Sequence, residues 1–312
     1  MKRVLSRYLV VIVLVAICLV LVFVSPRFFE LSNLENLGRR VSAGAVAAVG
    51  ETLVIVTAGI DLSVGSVAAL GGVIATGSIK HFGCPVLLGI ALGMLVGLAC
   101  GLINGVLVAK GRIPPFIVTL GMMLAARGTV HLLTQGSRIG GLPESFKWIG
   151  GTRAWYVPFC IMLLVVGAFA VMLRHTTFGR KIYATGGNLE AARLSGIAVD
   201  AVRIRAYAIC GMLAGFAGVM IASRTGVGDP TAGEGMELDA IAACVIGGAS
   251  LMGGEGGALG VLGGAFIVNV LLNICRLEQV SDEWQRVVLG ALIIGLVYCD
   301  NLRKKRAGTL RL

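Results

Sequence analysis

Two ionisable side chains, Glu51 and Arg127, stand deep inside long apolar tracts of this sequence. A charge at membrane depth is costly and therefore functional by default, so the two read either as an ion-coupling site or as an ion pair between helices. Other catalytic vocabulary is thin. The histidines at 81, 131 and 175 are far apart, and the eight cysteines, at 18, 84, 100, 160, 210, 244, 275 and 299, occur singly with no zinc or dithiol spacing. No G-x-x-x-x-G-K-[ST] phosphate loop, no H-E-x-x-H and no nucleophile elbow is present. Metal, cofactor and nucleotide chemistry are thus not expected of this chain, which leaves movement of a solute.

Neutral hydrogen-bonding residues recur in the same apolar tracts: Thr57, Ser66, Asn104, Thr119, Asn269 and Asn273. With Glu51 and Arg127 they suit a weakly binding path for a polyhydroxylated solute, and they equally suit hydrogen bonds between helices. Two glycine-rich interruptions, VTAGIDLSVGSVAALGG (56–72) and VIGGASLMGGEGGALGVLGG (245–264), break the apolar pattern. Irregular backbone is tolerated at membrane depth only where protein covers it or water reaches it. Gly59, Gly65, Gly247, Gly248, Gly253 and Gly254 are accordingly expected at hinges or close contacts. Asp61 and Glu255 are expected in short turns on the cytoplasmic side.

These residues need a membrane scaffold, and composition supplies one. The 312 residues are 57% hydrophobic and 14% charged, with a mean hydropathy of +0.92, far outside the range of soluble domains. At about 20 apolar residues per crossing, the sequence predicts an all-α, polytopic transmembrane bundle of about ten spans, some broken or re-entrant. They fall at 8–25, 41–59, 62–79, 84–109, 114–134, 155–173, 206–223, 239–253, 257–275 and 285–300. Sixteen of the 27 Lys and Arg then lie on the side of both termini, which the positive-inside rule makes cytoplasmic. That rule also accounts for the net charge of +11, so lipid is an expected partner and nucleic acid is not. The chain reads as one domain over 1–312, with a cytoplasmic loop at 174–205 and a basic cytoplasmic tail at 301–312.

That loop holds a short helix legible from its ends. Asn188 is the N-cap, Glu190 sits at the positive end of the helix dipole, and Gly196 takes the left-handed conformation that turns Ile197 back on Ala192. About two turns of helix are not stable alone. It needs a surface, either its own protein's or a partner's.

Four blocks resemble the permease subunits of ATP-binding-cassette importers for monosaccharides, the ribose, xylose, arabinose and galactose group. They are GETLVIVTAGIDLSVGSVAALGG (50–72), NGVLVAKGRIPPFIVTLGMMLAARG (104–128), GRKIYATGGNLEAARLSGI (179–197) and PTAGEGMELDAIAACVIGGASLMGGEGG (230–257). The resemblance implies a multi-pass protein of a bacterial inner membrane, paired as a homodimer or with a related permease. A cytoplasmic ATPase, which binds the ATP and Mg, would drive it, and a periplasmic or lipoprotein sugar-binding protein would feed it. Asn188, Glu190, Ala191, Ala192, Arg193, Leu194 and Gly196 match the segment that couples to the ATPase. The acidic stretches 229–239 and 278–283 would face the binding protein. Residues alone leave one rival open, an ion-coupled carrier that works without an ATPase and uses Glu51 with Arg127.

Overall fold

The computed structural model describes residues 25–281 throughout, together with 12, 14–19, 21–22, 283–285, 287–291, 294–295 and 298. The expected first and tenth spans lie only partly within these residues, and the basic tail lies wholly outside them. The described chain is helical. After a 3₁₀ turn at Pro26–Phe29 come α1 (Leu31–Val56), α2 (Val64–Phe82), α3 (Val86–Ala109), α4 (Pro115–Thr134) and the single turn α5 (Glu144–Lys147). These are followed by α6 (Tyr156–His175), α7 (Thr177–Gly187), α8 (Leu189–Leu194), α9 (Val199–Thr225), α10 (Met236–Ile246) and α11 (Ala258–Leu277). Five of them, α3, α4, α6, α9 and α11, are long and apolar enough to cross a membrane.

Helix α9 is the axis of the bundle. Its apolar window is 78% buried, against 22% for α4 and 28% for α6. It reaches that burial through glycine. Gly93, Gly97, Gly101 and Gly105 recur every fourth residue of α3 and so form one stripe along it. A Cβ at Gly97 would strike the Gly211 carbonyl, one at Gly101 the Tyr207 carbonyl, and one at Gly105 would come within 2.8 Å of the Ile204 Cα. Lipid offers no hydrophobic drive between helices, so close backbone approach of this kind is what holds α3 on α9. Helix α1 also packs on α9, where Gly50 meets Cys210 and Leu213, and from Val41 onward it is almost entirely buried, with Val46, Val49, Leu53 and Ile55 at 0% exposure.

Three expectations are corrected here. Helix α1 begins ten residues before the expected start at 41, because Arg39 and Arg40 ride on it and Arg39 is held by Glu35 at 3.3 Å. The expected span 239–253 is instead the 11-residue α10 followed by a turn. At 1.5 Å per residue it covers about 16 Å, half of a hydrocarbon core of about 30 Å.

The stretch before α10 explains that shortness. Gly228 packs on Thr76 and pairs with Ile139 in an isolated bridge, whereas Gly233 lies against the Gly65 backbone. Thr76 and Gly65 are eleven residues apart on α2, about three turns, so the chain from 228 to 233 runs down the side of α2 and α10 starts at depth. The expectation that 229–239 stays at the outer surface is therefore corrected: it re-enters the bundle.

Candidate functional site

The loop between α6 and α9 folds as the sequence requires. Thr176 caps α7 by accepting from the Gly179 N–H at 3.1 Å, and Asn188 caps α8 by accepting from the Ala191 N–H at 2.9 Å. Gly196 ends α8 at φ +77°, and the Ile197 N–H returns to the Ala192 carbonyl at 3.0 Å. Ala192 is buried, while Glu190, Ala191 and Arg193 face outward. Leu194 is 91% exposed. Arg193 meets Asp200 at 3.2 Å, but both are about half exposed, so the pair adds little stability. The cap contributes more: Asn188→Ala should cost about 1 kcal/mol. Amide exchange at Ala191 is then expected to speed up about fivefold, and an unchanged rate would show that the cap does not hold the helix.

From α8 a chain of contacts leads into the bundle. Only Asn188 separates α8 from α7. Gly186 of α7 lies so close to the Val56 carbonyl that a Cβ could not fit. That carbonyl also accepts from the Gly254 N–H at 2.9 Å. Tyr183 of α7 donates to the Gly256 carbonyl at 2.6 Å, and burial pushes its phenol pKa up, keeping it a donor. The end of α1, the end of α7 and the turn after α10 thus meet at one point. Gly248, Gly253 and Gly254 take positive φ in that turn, and Gly247 packs on the Gly260 backbone of α11. Glu255 is exposed there, as expected of a turn residue.

Above this junction lies a buried polar cluster. Glu51 accepts from the Asp61 backbone N–H at 3.1 Å and from the Cys210 thiol at 3.7 Å. Asp61 accepts from the Ser63 N–H at 2.8 Å and the Ser63 hydroxyl at 2.5 Å, and Asn104 donates to that hydroxyl at 3.0 Å. Asp61 lies in the short turn between α1 and α2, as expected, but it is 1% exposed and folded inward. Tyr207 Oη and Asn104 Oδ1 are buried here without a hydrogen-bond partner among the described residues. Gly59 is where it is because its Cβ would strike that Tyr207 hydroxyl, and Gly65 because it meets Gly233 and Glu237. Cys210 and Tyr207 carry no signal in the sequence, where a lone cysteine or tyrosine in an apolar run reads as packing.

The other expected path residues are dispersed. Thr57 donates to the Val54 carbonyl at 2.8 Å, and Thr119 bridges α4 to the Ile60 carbonyl at 3.3 Å. Ser66 is buried in the first turn of α2. Asn269 returns to its own helix at Ala265, and Asn273 exchanges two hydrogen bonds with Asn33, at 2.9 and 3.0 Å, clamping α11 to the start of α1. Arg127 and Glu51 are not partners among the described residues, which corrects the expected pairing. Arg127 donates from Nη1 to the carbonyls of Pro230 at 2.7 Å and Ala232 at 3.0 Å, holding the re-entrant stretch against α4.

Comparison with known proteins places the chain in a family. A family model described as the permease component of branched-chain amino acid transport systems matches residues 33–297. The ribose import permease protein RbsC of Escherichia coli K12 is 46% identical over 90% of this chain and 89% of its own length. That of Bacillus subtilis is 42% identical over 91% and 88%. The xylose transport system permease protein XylH of Escherichia coli K12 is 36% identical over 90% and 87%. No solved structure matches the chain. A capped surface helix tied into a bundle of apolar helices, and a match covering nearly all of it, lead to one placement: this chain is a multi-pass membrane protein of the branched-chain amino acid transport system permease family.

Proposed function

We propose that the chain is the permease of an ATP-binding-cassette importer for a monosaccharide, of the ribose and xylose kind named in its relatives, in a bacterial inner membrane. Ten crossings with both termini in the cytoplasm fit the loop charges. The permease works as a pair, with itself or with a related subunit, and the whole chain acts as one permease domain. A cytoplasmic ATPase, binding ATP and Mg, supplies the work, and a periplasmic or lipoprotein binding protein delivers the sugar. The observation that carries this reading is α8: a capped, isolated helix that presents Leu194 to solvent, 91% exposed. An apolar side chain so displayed on a helix unstable by itself calls for a partner groove.

The proposed mechanism is alternating access, a rocking of packed elements about a weak central site. Movement of α8 passes to α7 through Asn188 and reaches the end of α1 and the glycine turn at Val56, Gly254 and Gly256. There it bears on the short break that carries Asp61 beneath Glu51. In this closed arrangement Glu51, Thr57, Ser66, Asn104, Thr119 and Asn273 are covered by their own chain, so a path along any of them opens only when these helices separate.

The test is uptake of labelled ribose and xylose alongside ATPase activity of the assembled complex. Gly196→Val forces a β-branched residue into positive φ where space is open, and Leu194→Asp puts a charge where the groove should be. Both variants are expected to reach the membrane at normal levels while uptake falls about tenfold or more, as loss of about 1.4 kcal/mol of coupling requires. Normal uptake in both would refute the assignment of α8 as the coupling helix.

A further inference from the structure

A groove of about 540 Å³ opens between the end of α3, the end of α8 and the first turns of α9. Lys110, Arg193 and Arg205 stand on it, with Ile197, Val199 and Ile204 as apolar walls. Asp200 also lines it and is engaged by Arg193 at 3.2 Å. The cations therefore outnumber the lining carboxylate, and Lys110 and Arg205 are both exposed.

What sets this groove apart from an ordinary basic surface is its continuation up α3. Leu107, Val106 and Ile103 lie three, four and seven residues before Lys110, so they share its helix face. All three are exposed. The same helix crosses the membrane by length and composition, and Gly105 brings it against Ile204 in the wall of the groove. An apolar strip thus runs down a membrane helix and ends at a cluster of cations over an apolar floor. That is the outline of an amphiphile with a negative head.

We propose that this groove binds an anionic phospholipid, phosphatidylglycerol in a bacterial membrane, with its phosphate between Lys110, Arg193 and Arg205 and an acyl chain along Ile103, Val106 and Leu107. Basic pockets between helices on the cytoplasmic side are suited to such headgroups. A free phosphate ion would meet the same cations but would leave the apolar walls and the strip above them wet. An acidic segment of a soluble partner would approach the outward side of α8, at Leu194, rather than the flank where α3 faces lipid. The binding is independent of which solute the permease moves.

Native mass spectrometry of the purified permease, released from mixed micelles of phosphatidylglycerol and phosphatidylcholine with matched chains, tests this. Wild type is expected to retain phosphatidylglycerol about tenfold better than phosphatidylcholine. Lys110→Gln with Arg205→Gln is expected to erase that preference, since each cation near the surface contributes a factor of about five. Arg138→Gln, which alters a cation on the loop after α4, is expected to leave it intact and reports on general charge effects. Equal retention of the two lipids by wild type, or an unchanged preference in the double variant, overturns the proposal. Complete displacement of the lipid by inorganic phosphate would reassign the groove to a free anion. Displacement by the purified cytoplasmic ATPase would reassign it to the protein interface.

Discussion

Gly101→Leu is expected to remove the permease from the membrane almost entirely, whereas Gly121→Leu, on the neighbouring helix, is expected to leave its level unchanged. Both glycines lie inside apolar helices and look equivalent in sequence. At Gly101 a Cβ would strike the Tyr207 carbonyl and come within 3.0 Å of the Ala208 Cα, both backbone atoms of α9. At Gly121 nothing lies within 4 Å. Backbone cannot swing aside as a side chain can, so leucine at 101 must push α3 off α9 and forfeit the contact on which the bundle is built. In a protein whose stability is typically only about 5–15 kcal/mol, overpacking that costs about 3 kcal/mol or more at the central interface is enough to lose the fold. Immunoblots of membrane fractions, with melting of the purified chains in detergent, measure the contrast. If both variants accumulate and melt alike, α3 is not held on α9 by backbone approach.

The parts of this architecture that could be read from sequence are those whose cause is local. Pro85 and Pro114 precede α3 and α4, and the expected spans 84–109 and 114–134 match Val86–Ala109 and Pro115–Thr134 within two residues. The ends of α8 were legible for the same reason: an Asn before it and a Gly after it act within one turn. What was not legible depends on residues distant in the chain. Asp229, Glu234, Glu237 and Asp239 read as an outer loop because four carboxylates so close together usually mean water. Their stretch is drawn inward by Arg127, 103 residues away from Pro230, and by close approach to Gly65. The burial of Asp61 within its turn has the same kind of cause. Its acceptors are met by Ser63, and Ser63 is in turn held by Asn104, a partner 41 residues on. Cys210 carried no sequence signal at all, since its contact with Glu51 spans 159 residues. In a bundle packed by glycine, polar residues that look like loops can be interior ones, and only the helix–helix register decides which.

Arg127 is where that register has its largest consequence for function. Arg127→Leu is expected to lower uptake by tenfold or more with the chain still in the membrane, and to expose Ala232 and Gly233, half-buried in the docked stretch, to the outside. One guanidinium nitrogen serves two carbonyls, Pro230 at 2.7 Å and Ala232 at 3.0 Å. Each hydrogen bond to a charged group contributes about 1.5–3 kcal/mol, so losing both raises the population of a released loop at least tenfold at about 1.4 kcal/mol per decade. The fold itself should survive, because α4 is held elsewhere, for instance by Thr119 on the Ile60 carbonyl at 3.3 Å. Arg127→Lys should fall between the two, as an ammonium keeps the charge and can reach a carbonyl but lacks the planar fork. The readout is labelling of Ala232→Cys, a half-buried position, by a membrane-impermeant maleimide, with uptake measured on the same cells. Faster labelling together with lost uptake in Arg127→Leu makes the re-entrant stretch a part that must stay docked for the sugar to pass. Lost uptake at an unchanged labelling rate would instead assign Arg127 directly to the solute path, and unchanged values of both would show that neither its charge nor its hydrogen bonds serve transport.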